Sequence, residues 1–565
     1  MKRRNFLKNI SKASLAPFFL NGLAVREMAS SSLKELASLS NNDRVLVLIQ
    51  LHGGNDGLNT LVPLNQYSQY QALRSNIALS QSGTRKLINL QKQGTDQHQI
   101  GLHPDMTSFQ QMYDQGMAAI VQGVGYDHMN GSHFRSRDIW LMGGGYQDSW
   151  HSGWCGRYLN ASFPGYPEHY PNQEMPDPPA LEIGNSSTLA FHSDEGVSTA
   201  LNLEDPEKFY ELVSNVGNTS APGAEEGYYG DELSYLMGVE EQSNEYASRL
   251  QHVFKLGRNS PGVSYPEKYK LKAPAAEAQN KLSVQLKTIA RLLSGGSRTR
   301  VFLARINGFD THAHQVEGSD ASMGSHAALL YNLFSAIEAF QKDLKGLGLD
   351  DKVLTVTFSE FGRRPASNGS LGTDHGTAAP MFVFGKHVNG GVIGDNPSLT
   401  DLDQGKNLKH QYDYRQVFGT LLSDWMLSPS EAIRASRFED FIAGGKKLPL
   451  IAGSAEGAPP AAPAPSPTPE SPDEASALEG GHKIYSCHPN PARDYVVVRY
   501  RMEDRLPHQV YIRDISGNII KRVNRLGRDY GDKDVTFNLG GQKAGIYFCV
   551  LEVGNDRQVV QFIKR

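Results

Sequence analysis

Between positions 44 and 51 the chain reads Arg-Val-Leu-Val-Leu-Ile-Gln-Leu, so both alternating sets of positions are apolar. A strand with two hydrophobic faces needs cover on both, which is how central strands of parallel sheets are buried. Runs of the same kind occupy 117–124, 300–306 and 352–358. Between them the period changes. At 105–115, 280–293 and 327–344 apolar residues recur at intervals of three and four, as in an amphipathic helix. Strands alternating with helices predict an α/β sandwich around a mostly parallel central sheet. The first run ends in His52-Gly53-Gly54-Asn55-Asp56-Gly57, whose glycines mark the turn at its carboxyl end. Ligands of such sheets sit beyond the carboxyl ends of the strands, where Asp56, Asp310 and Glu360 all fall.

The pattern changes again near both termini. From 453 to 480 the chain is dominated by Ala, Pro, Ser and Glu, a composition that cannot bury a core and reads as a spacer between domains. Beyond it, short alternating runs at 495–500, 509–513, 546–551 and 558–562 predict a small antiparallel β-sandwich. At the other end, Lys2-Arg3-Arg4-Asn5-Phe6-Leu7-Lys8 precedes a mild apolar stretch at 13–25 and small residues at Ala29 and Ser30. That stretch is too short to span a bilayer but has the three regions of a cleavable export signal, over 1–30. Its paired arginines resemble the twin-arginine signal, whose cargo crosses the membrane already folded. No transmembrane helix is expected in the mature chain. The segments 160–179 and 223–241 read as excursions from the sheet that cap the site.

A chain of 565 residues exceeds one ordinary core, which agrees with a large domain at 44–443 and a smaller unit at 483–565. With a net charge of -4 and no long Lys/Arg stripe, the composition excludes a nucleic-acid partner. The three cysteines, Cys155, Cys487 and Cys549, lack a Cys-x-x-Cys spacing and so do not carry redox or zinc chemistry. Cys487 and Cys549 share the C-terminal unit, where they either pair in an oxidising compartment or serve as two small buried hydrophobes. Trp140, Trp150 and Trp154 either stack a sugar ring or belong to a core or lid.

The chemistry gathers in four polar clusters at strand ends or helix starts. They are Gly53 to Gly57, Gly131-Ser132-His133-Phe134-Arg135-Ser136, Gly308-Phe309-Asp310-Thr311-His312-Ala313-His314, and Ser359-Glu360-Phe361-Gly362-Arg363 with Gly372-Thr373-Asp374-His375-Gly376. Carboxylates and imidazoles at such places are what a divalent metal needs: zinc or manganese where nitrogen contributes, calcium or magnesium where oxygen predominates. Asp56, Asp310, His312, His314, Glu360, Asp374 and His375 are the candidate ligands. Ser132, His133, Arg135 and Arg363 are the candidate catalytic groups; a guanidinium fork matches phosphate or sulfate oxygens.

Taken in order, these clusters over approximately 44–443 resemble a bacterial family known only as a domain of unknown function, commonly exported by the twin-arginine route. That family is similar to the alkaline phosphatase, sulfatase and phosphoglycerate mutase superfamily. The resemblance implies an alkaline phosphatase-like sandwich and a metal-dependent hydrolase of small-molecule or glycan phosphate or sulfate esters. It implies one metal held by Asp56 and Glu360 beside the nucleophile Ser132. A second would be held on the leaving-group side by Asp310, one of His312 or His314, and His375. Where the superfamily has Asp-His-Gly, this chain has Glu360-Phe361-Gly362, which leaves open a surface-displayed binding or structural protein instead. In the C-terminal unit, His488-Pro489-Asn490-Pro491-Ala492, Asp514-Ile515-Ser516-Gly517, Ala544-Gly545-Ile546-Tyr547 and the Ile563-Lys564-Arg565 end resemble the sorting domain of the type IX secretion system of Bacteroidetes. That resemblance implies the type IX machinery as partner, transit through the periplasm, and a final place on the cell surface or outside the cell.

Overall fold

The run at 44–51 forms strand β1 (Val45–His52), and its side chains divide between two cores. Val45, Val47, Ile49 and Leu51 enter one; Leu46 and Leu48 enter the other. This is the two-faced burial that the doubly apolar pattern requires. The computed structural model describes residues 19–20, 23–24, 42–90, 99–184, 188–203 and 245–453, then 483–488, 492–502, 507–514, 519–526, 531–543, 545–553 and 556–564. The expected spacer from 454 onward, the acidic stretch 223–241 and all but four residues of the expected signal lie outside them. Two compact units divide the chain, Met1–Ala464 and Pro465–Arg565.

In the first unit, β1 is joined by β2 (Ala118–Gly125), β3 (Ala180–Ile183), β4 (Ala200–Leu203), β5 (Val301–Asn307) and β6 (Val353–Phe358). A hairpin of β7 (Arg363–Ser367) and β8 (Thr373–His375) stands apart from the large sheet. The sheet is completed by β9 (Ala379–Phe384), β10 (Gly391–Ile393) and β11 (Tyr412–Asp413). Its order is β10-β2-β9-β6-β1-β5-β3-β4, with β11 also on β2. Only β9 runs against its neighbours, β6 and β2; every other pairing is parallel.

Helices cover both faces. On one side α1 (Thr107–Asp114), α4 (Lys281–Ser294) and α5 (Ser325–Leu347) pack on the core that holds Phe302 and Ala304. On the other, α2 (His133–Met142), α3 (Trp154–Ser162) and α6 (Tyr414–Thr420) pack on the core that holds Val301 and Leu303. Trp140 and Trp154 are buried in that second core, which settles their role as packing residues. Among the described residues no helix is long and apolar enough to cross a membrane.

Among the described residues, the second unit contains seven antiparallel strands: β12 (Lys483–His488), β13 (Tyr495–Met502), β14 (Pro507–Asp514), β15 (Ile519–Leu526), β16 (Gly531–Asn538), β17 (Gly545–Val553) and β18 (Asp556–Lys564). They form two sheets, β12-β13-β16 and β15-β14-β17-β18. One buried cluster draws Val496, Val498 and Tyr500 from the first sheet and Val510, Ile512 and Leu551 from the second, so the two inner faces share a core.

Candidate metal centre

Loops leaving the carboxyl ends of β1, β5 and β6 meet because one residue between them has no side chain. Gly53 has φ +124°, and a Cβ there would lie 2.1 Å from the backbone nitrogen of Asp310. Only glycine permits that approach. The Gly53 N–H donates to Glu360 Oε1 at 2.8 Å. Beside it Ser359 Oγ donates to the Leu51 carbonyl at 2.7 Å and accepts from the Asn55 N–H at 3.1 Å. The Glu360 carboxylate is thereby fixed, with no exposed surface.

Two imidazoles converge on this floor. His133, the first residue of α2, places Nδ1 2.9 Å from Glu360 Oε1. A carboxylate accepts, so that nitrogen carries a proton and Nε2 is the ring atom turned toward the cluster. Nε2 faces Asp310 Oδ2 at 3.3 Å. His375, at the end of β8, places Nδ1 2.6 Å from the Gly131 carbonyl. A carbonyl also only accepts, so this Nδ1 carries a proton too, and Nε2 lies 3.8 Å from Asp310 Oδ1. Neither Nε2 has a hydrogen-bond partner although both atoms are buried. One ligand atom from each of His133, Asp310 and His375 lies within 4.8 Å of the others, the one such group among the described residues. Two imidazole nitrogens and a carboxylate fit zinc, manganese or iron, and suit calcium or magnesium poorly.

The third member is held from the opposite side. Asp310 Oδ1 accepts from Arg363 Nη2 at 2.8 Å and from His312 Nδ1 at 2.5 Å. The Arg363 side chain is wholly buried, and it donates to the carbonyls of Gly54 at 2.9 Å, Thr373 at 2.8 Å, Phe309 at 3.1 Å and Gly53. One planar fork thus ties the β1 and β5 loops to the β7-β8 hairpin. Burial alone would push the Asp310 carboxyl up, but the hydrogen bond and charge of Arg363 bring it down to about 2. Burial, aided by the charge of Arg363, brings His375 down to about 4. Burial also pushes Glu360 up, but the His133 hydrogen bond, the backbone N–H groups of Glu360 and Gly53 and the charge of His52 together leave its carboxyl below the ordinary range. At neutral pH the group holds an ionised carboxylate and an imidazole with a free lone pair, as metal ligation requires.

The other expected residues fall in different places. Asp56 is fully buried, 2.6 Å from Arg74 Nη1 and 2.6 Å from Gln315 Nε2, and it caps the short helix Gly57–Thr60. Its carboxylate is committed there and does not join the cluster. Glu360 acts on His133 and does not enter the three-residue group. His312 stands against Asp310 with its side chain 43% exposed, whereas His314 is exposed, and only its backbone N–H, bonded to the Ser370 carbonyl, is tied down. Asp374 bonds Asn368 at 3.1 Å and faces Arg364 at 3.5 Å, and is not one of the three residues that converge. Ser132 is the exposed N-cap residue of α2, and its hydroxyl makes no capping bond. Arg135 donates to the carbonyls of Tyr146, at 2.9 Å, and Asp148, so it pins a loop. Phe361 is buried with its ring 4.8 Å from that of His133 and 4.5 Å from that of His375. Sequence reasoning missed the roles of Arg74 and Gln315, which belong to no recognisable motif, and of the Gly131 carbonyl, a backbone group whose role the residue type does not reveal.

The model of a family described as protein of unknown function (DUF1501) matches residues 43–427, and that of a secretion system C-terminal sorting domain matches 486–565. A chain carrying such a sorting domain is an exported protein. No curated protein matches the chain. Among solved structures, PorZ, an essential surface component of the type-IX secretion system of Porphyromonas gingivalis, aligns with 14% of this chain at 18% identity and a TM-score of 0.12. This chain spans 11% of the length of PorZ. PsFucS1 sulfatase from Pseudoalteromonas sp. aligns over 91% of this chain and 87% of its own, at 12% identity and a TM-score of 0.30. A structure from work on glycosaminoglycan metabolism by Bacteroides thetaiotaomicron aligns over 85% of this chain and 89% of its own, at 9% identity and a TM-score of 0.32. Likenesses this faint say nothing of substrate.

Proposed function

The chain belongs to the family described as protein of unknown function (DUF1501), and from that premise we propose an exported, metal-dependent hydrolase of phosphate or sulfate esters. Its export signal would be of the twin-arginine kind. Its sorting domain would carry it through the periplasm and the type IX machinery to the cell surface or beyond. The observation that carries the reading is the pair of buried, unpaired Nε2 atoms of His133 and His375 facing the Asp310 carboxylate.

His133, Asp310 and His375 would hold the divalent ion, zinc or manganese fitting best. Bound there, it supplies Lewis-acid stabilisation of the charge that develops on the ester oxygens. The chain's own groups do the rest. Glu360 and the Gly131 carbonyl hold both imidazoles in the ligating tautomer, as partners behind metal-binding histidines do. Arg363 keeps Asp310 ionised and oriented. Ser132, exposed beside His133, offers the nucleophilic hydroxyl. His312 donates its Nδ1–H to the ionised Asp310 in a hydrogen bond, which leaves Nε2 to take or return a proton at the ester. With Asp56 committed to Arg74, this reading needs one metal, not two.

Elemental analysis of the purified chain, paired with Asp310→Ala and His375→Ala, tests it. Near-stoichiometric metal lost in both variants, with turnover of a phosphate or sulfate ester that falls in parallel, supports the reading. The buried Phe361 ring, packed against both ligand imidazoles, favours a second reading: a surface-displayed binding protein that holds metal without turnover. Metal-loaded protein inert toward both ester classes would favour it.

A further inference from the structure

Cys487 lies on β12 and Cys549 on β17, in different sheets of the sorting unit. Their exposures are 8% and 0%, and both belong to the single core between the sheets. The pairing register explains why they face inward. Cys487 stands opposite Val498, and Cys549 opposite Ile512; both of these neighbours are fully buried. The two strands approach each other across that core, and Cys487 acts directly on the Cys549 thiol. Packing requires no such meeting, since two apolar side chains would fill the same space. Cys155, by contrast, is buried in the first unit.

We propose that Cys487 and Cys549 form an intramolecular disulfide in the exported protein. A chain with such a sorting domain leaves the reducing cytoplasm, where such bonds are rare, for compartments where they persist. The step balances as thiol–disulfide exchange. One thiolate attacks the disulfide of a thiol oxidoreductase, and the second cysteine displaces it from the mixed disulfide. The two cysteines lose two protons and two electrons, the S–S bond forms, and the oxidoreductase leaves as a dithiol. In the closed core the contact with Cys487, together with burial, pushes the Cys549 thiol far above its ordinary value. Thiolate is the attacking species, so the bond forms after export, when a local opening of the sandwich exposes the pair to the oxidoreductase. Once formed, it ties the first described strand of the unit to the opposite sheet, so β12 cannot peel away from the sandwich.

The test uses the full chain produced by export, unfolded without reductant and treated with an alkylating reagent. The expected result is label on Cys155 alone, a Cys487–Cys549 linked peptide on digestion, and a mass about 2 Da below the all-thiol value; reductant then opens all three cysteines. Label on all three without reductant, or a bond that includes Cys155, overturns the proposal. In thermal unfolding, reductant should lower the transition of the sorting unit by about 10 °C or more, because a loop of about 60 residues is released. A Cys487→Ala/Cys549→Ala variant should unfold near the reduced protein and ignore reductant. An equal response to reductant in that variant would also overturn the assignment.

Discussion

Replacing Asp56 with asparagine separates the two structural fates open to a strand-end carboxylate: metal ligand or half of a buried ion pair. Asp56 and Arg74 are both without exposed side-chain surface and meet at 2.6 Å. Burial pushes the Asp56 carboxyl up, but the Arg74 charge and hydrogen bond leave it below the ordinary value, so the pair is ionised. Asparagine keeps the shape and removes the charge, leaving a guanidinium buried without its counter-ion. Breaking a buried pair from one side costs about 3–5 kcal/mol. Unfolding entropy is about 2.1 cal/mol/K per residue, so a domain of about 385 residues loses stability at about 0.8 kcal/mol per degree. The expected fall in apparent Tm is therefore about 4–6 °C. Metal content per folded chain should stay at the wild-type value, because the three-residue group does not include Asp56. His375→Ala should behave oppositely, losing metal. Differential scanning calorimetry and elemental analysis on the same preparations give both readouts. An Asp56→Asn protein that melts like wild type but has lost its metal would refute the reasoning.

Three further outcomes follow from the same geometry. Glu360→Gln removes the charge behind His133 while keeping an acceptor for the Gly53 N–H, so metal affinity should fall about 10–100-fold in a competition titration; unchanged affinity would remove Glu360 from the site. Arg363→Lys cannot reproduce the fork that reaches four carbonyls and Asp310, and should lose both stability, by about 2–4 kcal/mol, and metal; a fully stable, metal-loaded variant would contradict this. His326 is fully buried, and burial brings its pKa down to about 4. In the window between that value and the ordinary 6.5 the unfolded chain binds the extra proton, so stability should be fully present above pH 6.5 and decline as the pH falls toward 4. Denaturant midpoints measured across that window should show the slope, and a His326→Asn variant should lose part of it; a profile identical to wild type would assign the slope elsewhere.

The strands that build the sheet were readable where both faces are apolar, and the observed bounds at Val45–His52, Ala118–Gly125, Val301–Asn307 and Val353–Phe358 sit within a residue or two of the runs. The expected helices at 280–293 and 327–344 appear as Lys281–Ser294 and Ser325–Leu347. Strand β9 left no comparable reading: its Pro380 obscures a six-residue run, and its antiparallel insertion between β2 and β6 is a property of pairing. In the sorting unit, β15 and β16 escaped because polar and charged residues such as Lys521, Arg522 and Asp532 interrupt the apolar alternation.

By itself the sequence determined the α/β class, the position of the candidate chemistry at strand ends, the break before the C-terminal unit and the sorting signature. These are local properties, written in periodicity, composition and short motifs. Which carboxylate meets which imidazole is a matter of distant pairs. His133 and Glu360 are 227 positions apart and still within hydrogen-bond reach. Asp56 is drawn away from the His133–Asp310–His375 cluster by an arginine 18 positions along, through a contact that no motif records. Tertiary structure alone decided these partnerships, because a buried charge goes to whichever opposite charge or donor the packed loops bring within about 3 Å.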